Sequence, residues 1–368
     1  MRKSEMMLGL IGLVVGLIPG GTAAASDAPD VWALLKELLL VPGVSGFEAP
    51  VADTIRDRLP TDLPIERDDM HNLWFTTGEG KPHLLFVAHT DELGLVVESI
   101  TGRGTLKVSG RGGFFPHMYE GRAVDVHTRF GTRPGVVAPR AGYHRSRGEH
   151  KALQIEEIEI DLGVSGDAAA ERLGAAVGDS ITIRKTITEL SDDLLAARGV
   201  DDRAGCAALL AAAHRIDWSG IRGVTVTFAW DVQEEIGLRG AARLAESLHP
   251  DYVFAVDTFV SSDTPLDEQR FARLPLGEGM VIRVIDSSSI APRKAVRKIM
   301  AVAEAHGIPY QLGNTRGGND GSVFVPAGAA DIPLSWPGVH SHSFIEKIHR
   351  RDLDALTDMI TALVRDFR

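Results

Sequence analysis

The sequence predicts an α/β protein, a mainly parallel sheet sandwiched by helices, with a small β-rich domain inserted into it. Apolar strand-like runs at 84–88, 224–230, 252–256 and 281–285 alternate with helical patterns at 203–214, 239–248, 292–306 and 351–366. Strands alternating with helices of that length build parallel sheets covered on both faces. From Leu93 to about Ile187 the texture changes to short β-patterned segments, such as AVDVHT and DSITIRK, separated by glycine turns, which marks a compact β module. The 368 residues also exceed what one small core organises.

In chain order, Arg2 and Lys3 form a basic start, Met6 to Ile18 an apolar stretch, and Pro19-Gly20-Gly21 a helix break before the small residues 22–26. Residues 1–25 therefore read as a cleaved signal peptide, too short and wrongly flanked for a membrane span. The expected destination is periplasmic or secreted, with no membrane association after cleavage. Amphipathic helical patterns follow at 31–40 and 48–59, then strand-like runs at 73–76 and 84–88. The expected catalytic domain comprises 27–92 and 189–368, and the inserted β-rich domain 93–188. Because that insertion carries none of the candidate ligands below, its expected work is assembly and not chemistry. The net charge of −11 disfavours nucleic acid and anionic membrane surfaces as partners. Cys206, the only cysteine, lies in an alanine-rich helical pattern and reads as a buried small hydrophobe.

In open α/β sheets ligands gather outside the carboxyl ends of the strands. Those ends carry His89 and, two residues on, Asp91; Glu234-Glu235 after VTVTFAW; Asp257 directly after YVFAV; and His340 and His342 in PGVHSHS. Asp201-Asp202 stands in the turn GVDDRAG before a helix. Each has an ordinary structural explanation: a helix cap for Asp201 or Asp202, a dipole-favoured helix start for the glutamates, a turn residue for Asp257. Their joint placement at one sheet edge points instead to a two-metal hydrolase site. Alternation along an extended chain puts Asp91 beside the ring of His89, where it selects the tautomer that offers the other nitrogen to a metal. A bridging carboxylate holds two dications about 3.5 Å apart, and a neighbouring unbound carboxylate then moves the proton of a shared water to the leaving amine. Imidazole and carboxylate ligands suit zinc first, and cobalt or manganese as well.

The motifs HTDELG, DDRAGC, VQEEIGLRGA, RGGNDGS and HSHSFIEKIHRRDL, in that order across the mature chain, resemble the M42 family of metallo-aminopeptidases, relatives of the M28 and M20 peptidases. GGFFPHMYEGRAVDVHT and the segments around 155–182 are similar to that family's inserted PDZ-like domain. The resemblance implies a zinc-peptidase-like fold and removal of N-terminal residues from peptides. It implies two divalent ions: Asp201 bridging, one ion completed by His89 and Asp257, the other by Glu235 and His342. Glu234 would be the general base and Asp91 the orienting partner of His89. It further implies homo-oligomers, from dimers to cage-like dodecamers. Where many relatives carry an Arg-Tyr pair this chain has Val339 and His340, and RGGNDGS stands in place of a more usual Gly-Thr-Asp-Ala pattern. Rival readings are a dinuclear deacylase or carboxypeptidase and, from another class, an exported solute-binding protein. A glycosidase is disfavoured because its two acids are already committed to metal and base.

Overall fold

The structure, a computed structural model, describes residues 28–140, 153–264 and 272–367. The expected signal peptide lies outside the described residues. Among the described residues no helix is long and apolar enough to cross a membrane.

At the centre of the catalytic domain are four parallel neighbours, Thr225–Asp231, His83–His89, Tyr252–Val260 and Leu334–Gly338. The sheet is mixed at its flanks, where Leu73–Gly78 and Met280–Ile285 pair antiparallel to their inner neighbours. Period-two alternation explains why the strand sequences are almost wholly apolar: Leu84, Phe86 and Ala88 enter one core and Leu85 and Val87 the other. On the first face, helices Val31–Leu39, Val200–Arg215 and Arg350–Asp366 cover a layer that includes Phe86, stacked on Phe254 at 4.7 Å. The alanines of 207–213 are buried all round, and their small size lets this helix lie between the sheet and two outer helices. Cys206 is buried there too, donating from Sγ to the His89 carbonyl. On the second face, helix Arg239–Ala245 and Phe324 cover Leu85, Val87 and Val253.

The insertion, expected to be PDZ-like, is a small closed barrel of six strands between Gly94 and Ile183. Its interior takes every second residue of its strands, including Leu95, Val97, Val124, Val126 and Ile181. The barrel starts at Gly94, where a Cβ would meet Val44 Cγ2 at 2.4 Å, so glycine permits the close approach of barrel and catalytic domain. Beside it a buried charge cluster joins the two parts: Glu92 lies 2.6 Å from Lys185 and 3.6 Å from Arg203.

Removing one member of a buried ion cluster leaves the others uncompensated. Glu92→Ala should therefore cost about 3–5 kcal/mol, whereas Lys36→Ala, which breaks an exposed pair with Glu189, should cost no more than about 0.5 kcal/mol. Urea unfolding of both variants checks this, and equal midpoints would show that the cluster does not hold the domains together.

Candidate active site

The site grows from the ends of the central strands. His89 ends its strand level with Asp231 of the next, and Thr90 fixes that level by donating both its backbone N–H and its hydroxyl to the Asp231 carbonyl, at 2.8 and 2.6 Å. Asp91, fully buried, then gathers the surrounding loops. One oxygen accepts from the Glu234 N–H at 3.0 Å and lies 3.4 Å from His89 Nδ1. The other accepts from the Ser45 hydroxyl at 2.6 Å and the Glu235 N–H at 3.2 Å. The turn bearing both glutamates is thus tied to the strand that bears the histidine. Gln233, which opens the turn at φ 58°, donates its N–H to Glu48.

The two adjacent aspartates divide their work. Asp202 accepts from the Gly205 N–H and from the His89 N–H, so it caps the helix and holds the histidine's backbone. Asp201 instead faces the cavity, 3.4 Å from His89 Nε2, and accepts from the Ser341 hydroxyl at 3.2 Å. Asp257 follows from the next strand, receiving Thr258 N–H at 2.6 Å and Arg283 at 3.2 Å. His89, Asp201 and Asp257 each offer a ligand atom within 4.8 Å of the others.

Alongside them, Glu235 lies 3.6 Å from His342 Nε2. His342 Nδ1 is 2.6 Å from the carbonyl of Gly113. A carbonyl only accepts, so Nδ1 carries a proton and donates it, which leaves Nε2 as the nitrogen on the Glu235 side. Gly113 belongs to the insertion, and so do Phe115, Met118 and Arg122, which line the same cavity of about 1000 Å³. The expectation that the insertion stays apart from the chemistry is corrected here: it holds none of the candidate ligands, but it orients one and walls the cavity. Gly112 allows this at φ +78°, with the position of a Cβ only 3.2 Å from that of Glu235. Beneath the loop of His342, Glu346 accepts from the N–H groups of Gly199, Asp201 and His342 and from Arg198.

The electrostatics show a donor set short of positive charge. Burial, with repulsion from Asp201, holds Glu235 well above the ordinary carboxylate range, and burial with repulsion from Glu235 and Asp257 does the same to Glu234. Asp257 is raised by burial in spite of Arg283. Burial opposes charge on His89, but the Asp201 and Asp91 carboxylates outweigh it and raise its pKa well above the usual value.

Residues 72–359 match the sequence profile of the M42 glutamyl aminopeptidases. The chain belongs to this family. It is 30% identical to the glutamyl aminopeptidase of Lactococcus lactis subsp. cremoris, covering 85% of this chain and 90% of that one. It is 29% identical to the lysyl aminopeptidase of Pyrococcus furiosus, covering 92% and 97%. Among solved structures it is similar to the TET1 peptidase of Pyrococcus horikoshii, which can assemble into a tetrahedron or a large octahedral shell; the TM-score is 0.84 at 33% identity, over 91% and 99% of the two chains. The chain is accordingly a peptide hydrolase, of a metal-dependent aminopeptidase family.

Most candidates of this M42 peptidase come to one cavity: His89, Asp201 and Asp257 together, Glu235 with His342, and Glu234 and His340 on the wall, while Asp91 lies underneath and Asp202 caps the helix. Sequence reasoning missed three supports. Arg283, buried between Asp257 and Asp286, is the one charged residue inside the apolar run VIRVI, and that was its signal. Asp231 ends its strand in a carboxyl pair with Asp320, both buried, and burial raises Asp231 to about 7. Ser45, in VPGVSG, had no signal beyond its turn.

Asp91→Ala would leave the Glu234 and Glu235 N–H groups and the Ser45 hydroxyl without their acceptor in a buried site. An orphaned buried donor costs about 1–3 kcal/mol, so a loss of about 3 kcal/mol is expected by urea denaturation of the metal-free chain. An unchanged midpoint would mean that Asp91 does not hold the glutamate turn.

Proposed function

We propose that this chain is an exported, dinuclear metal-dependent aminopeptidase that removes N-terminal residues from peptides. The observation that carries this reading is the donor set of His89, Asp201 and Asp257, with the Glu235–His342 pair on the same cavity wall and a half-buried glutamate, Glu234, beside them that is spare. The residues fit the ions: imidazole nitrogens and carboxylates of the kind zinc, cobalt and manganese accept, and carboxylates whose mutual repulsion a dication relieves. His89 and Asp257 would hold one ion, Glu235 and His342 the other, and Asp201 both. Divalent ions held there supply Lewis acidity to the scissile carbonyl and to the attacking water.

The remaining work falls to the chain itself. Glu234 takes the water's proton and returns it to the leaving amine, the general-base role for which a carboxylate beside the ligands and not among them is needed. Asp91 orients His89 and, through the two N–H groups it accepts, fixes the turn that separates the roles of Glu234 and Glu235. Gly113 sets the tautomer of His342.

Glu234→Gln should lower kcat by about 10²–10⁴-fold with bound metal unchanged. Glu235→Gln should weaken one ion and be partly rescued by excess metal, and Asp201→Ala should retain fewer than two ions per chain. Plasma emission spectrometry beside aminoacyl-anilide kinetics decides this; normal metal and near-normal kcat in Glu234→Gln would overturn the mechanism, and reversed phenotypes would exchange the two glutamates. Export and self-association are part of the same proposal. N-terminal sequencing of the chain from its native host should begin near residue 26, and light scattering should give a mass of several chains; an intact N-terminus or a monomer would refute the corresponding part.

A further inference from the structure

We propose that Glu48 is a positioning residue for the general base: its buried carboxyl group holds the backbone of Gln233 and thereby sets where Glu234 stands. The inference rests on the reading of Glu234 above and goes beyond it, naming a residue outside the cavity on which that base depends.

The turn that carries the two glutamates is built from backbone that side chains rarely adopt. Gln233 stands at φ 58°, Gly237 at φ 116° and Leu238 at φ 55°, with the short turn Glu234–Ile236 between them. Only the glycine takes such a conformation without steric cost, so contacts from outside have to hold the turn. Four consecutive N–H groups leave it for side chains from earlier in the chain. Val232 donates to Asn72 at 3.1 Å, Gln233 to Glu48 at 3.1 Å, and Glu234 and Glu235 to the two oxygens of Asp91 at 3.0 and 3.2 Å. Of these three acceptors, only Glu48 meets a residue whose own φ is positive.

Glu48 serves this turn and not its own helix. It stands at the N-cap of helix Ala49–Arg58, where a side-chain oxygen ordinarily accepts from the first turn, yet it makes no such bond. Glu48 is only 1% exposed, and one oxygen, Oε1, accepts both the Gly46 N–H at 2.6 Å and the Gln233 N–H. The loop that carries it is fixed to the strand end of His89. The Glu92 N–H donates to the Gly43 carbonyl, the Ser45 N–H to the Glu92 carbonyl, and the Ser45 hydroxyl to Asp91. One loop, 43–48, thus braces the carboxylate that holds Glu234 and Glu235 and also grips the residue before them. Glu48 lies off the cavity wall, so its route to the reaction is the Gln233 backbone. Burial and the repulsion of Asp91 push its carboxyl up to about 7, and either protonation state keeps an oxygen that accepts. The turn therefore uses an acceptor at this point and not a charge. Without it Gln233 is free to leave the left-handed region, which turns the peptide plane leading into Glu234 and moves the base relative to His89 and Asp201.

The test uses the full chain at saturating zinc, cobalt or manganese, whichever gives the wild type its greatest turnover, with the best of the leucyl, glutamyl and lysyl p-nitroanilides. Glu48→Ala should lower kcat by about 10- to 100-fold, the range for a catalytic group displaced and not deleted, with KM little changed. Glu48→Gln keeps an acceptor oxygen and should keep most of the activity. Adding Gln233→Gly to Glu48→Ala should recover part of the loss, because glycine holds a positive φ unaided. A second readout needs neither metal nor turnover. In hydrogen exchange followed by mass spectrometry on the metal-free chain, Glu48→Ala should speed exchange in the peptide covering 232–238 by about 10-fold or more, while the strand peptide 225–231 keeps its rate. A role confined to helix 49–58 would lower stability and leave kcat and the 232–238 peptide as they are. The proposal is overturned by that result, by equal acceleration of both peptides, by a loss in Glu48→Gln as deep as in Glu48→Ala, or by no recovery with Gln233→Gly. An effect on KM alone would also overturn it, since it would place Glu48 against the substrate. Should the wild type cleave no anilide, the aminopeptidase reading falls by itself, and the exchange comparison still decides whether Glu48 holds the turn.

Discussion

Three strands, His83–His89, Thr225–Asp231 and Tyr252–Val260, run parallel and in register, and the rest of the molecule depends on where they stop. Parallel pairing sends the chain off the same edge each time, so each connection at that edge starts within reach of the others. The period of two then decides which side chains face the cavity. A slip of one residue would turn His89 to the other face of the sheet and separate it from Asp201. The double hydrogen bond from Thr90 to the Asp231 carbonyl guards against that slip at the last possible position. The two apolar layers, fed alternately by Leu84, Phe86 and Leu85, Val87, supply the driving force that keeps the register throughout the strand.

A register alone would not hold several carboxylates in one buried volume, where burial and mutual repulsion act against each of them. The fold answers with two further carboxylates that point at backbone. Asp91 accepts from the N–H groups of Glu234 and Glu235, and Glu346 accepts from those of Gly199, Asp201 and His342. Each fastens one of the loops that carries candidate ligands, and each does so with a charge-assisted bond, stronger than a neutral one. Arg283 performs the equivalent service for Asp257, and its cost of burial is met by Asp286 on its other side. The negative charge left over at the cavity is what a pair of divalent ions would neutralise.

How much of this was legible in the sequence follows from the range of each interaction. The central strands were read because a strand buried on both faces must be apolar along its whole length, and their ends were marked by the first acid or imidazole after the run. The helical pattern at 203–214 was read from its alanines, but not that Asp201 and Asp202, just before it, share out the cavity and the cap. Both residues suit either role by type, and only the backbone between them, which is non-helical at both positions, decides. Strand Tyr310–Asn314 was missed because it is an edge strand with alternate exposure and only modest apolar content. Asp320 was quoted within RGGNDGS without a role, because its partner Asp231 lies 89 positions earlier in the numbering and neither residue has a local signature.

The placement of the inserted barrel follows from where it leaves and rejoins the chain. It departs at Gly94, three residues after Asp91, and the chain returns through strand Leu194–Ala197 to Asp201. His89 and Asp201 are 3.4 Å apart, so both stalks of the insertion are anchored at the centre of the site. A module attached there has no route away from the cavity mouth. Its first strand pair ends at Arg111, and the segment that follows passes over Glu235 at Gly112 and meets His342 at Gly113. Glu92, at the outgoing stalk, pairs with Lys185, on the returning one, which keeps the two stalks together and the barrel at a fixed height above the strands. Because the Gly113 carbonyl selects which nitrogen of His342 faces the cavity, the stance of the barrel and the orientation of that imidazole are one structural variable. Insertion between the first two candidate ligands is therefore what makes a domain without ligands part of the site.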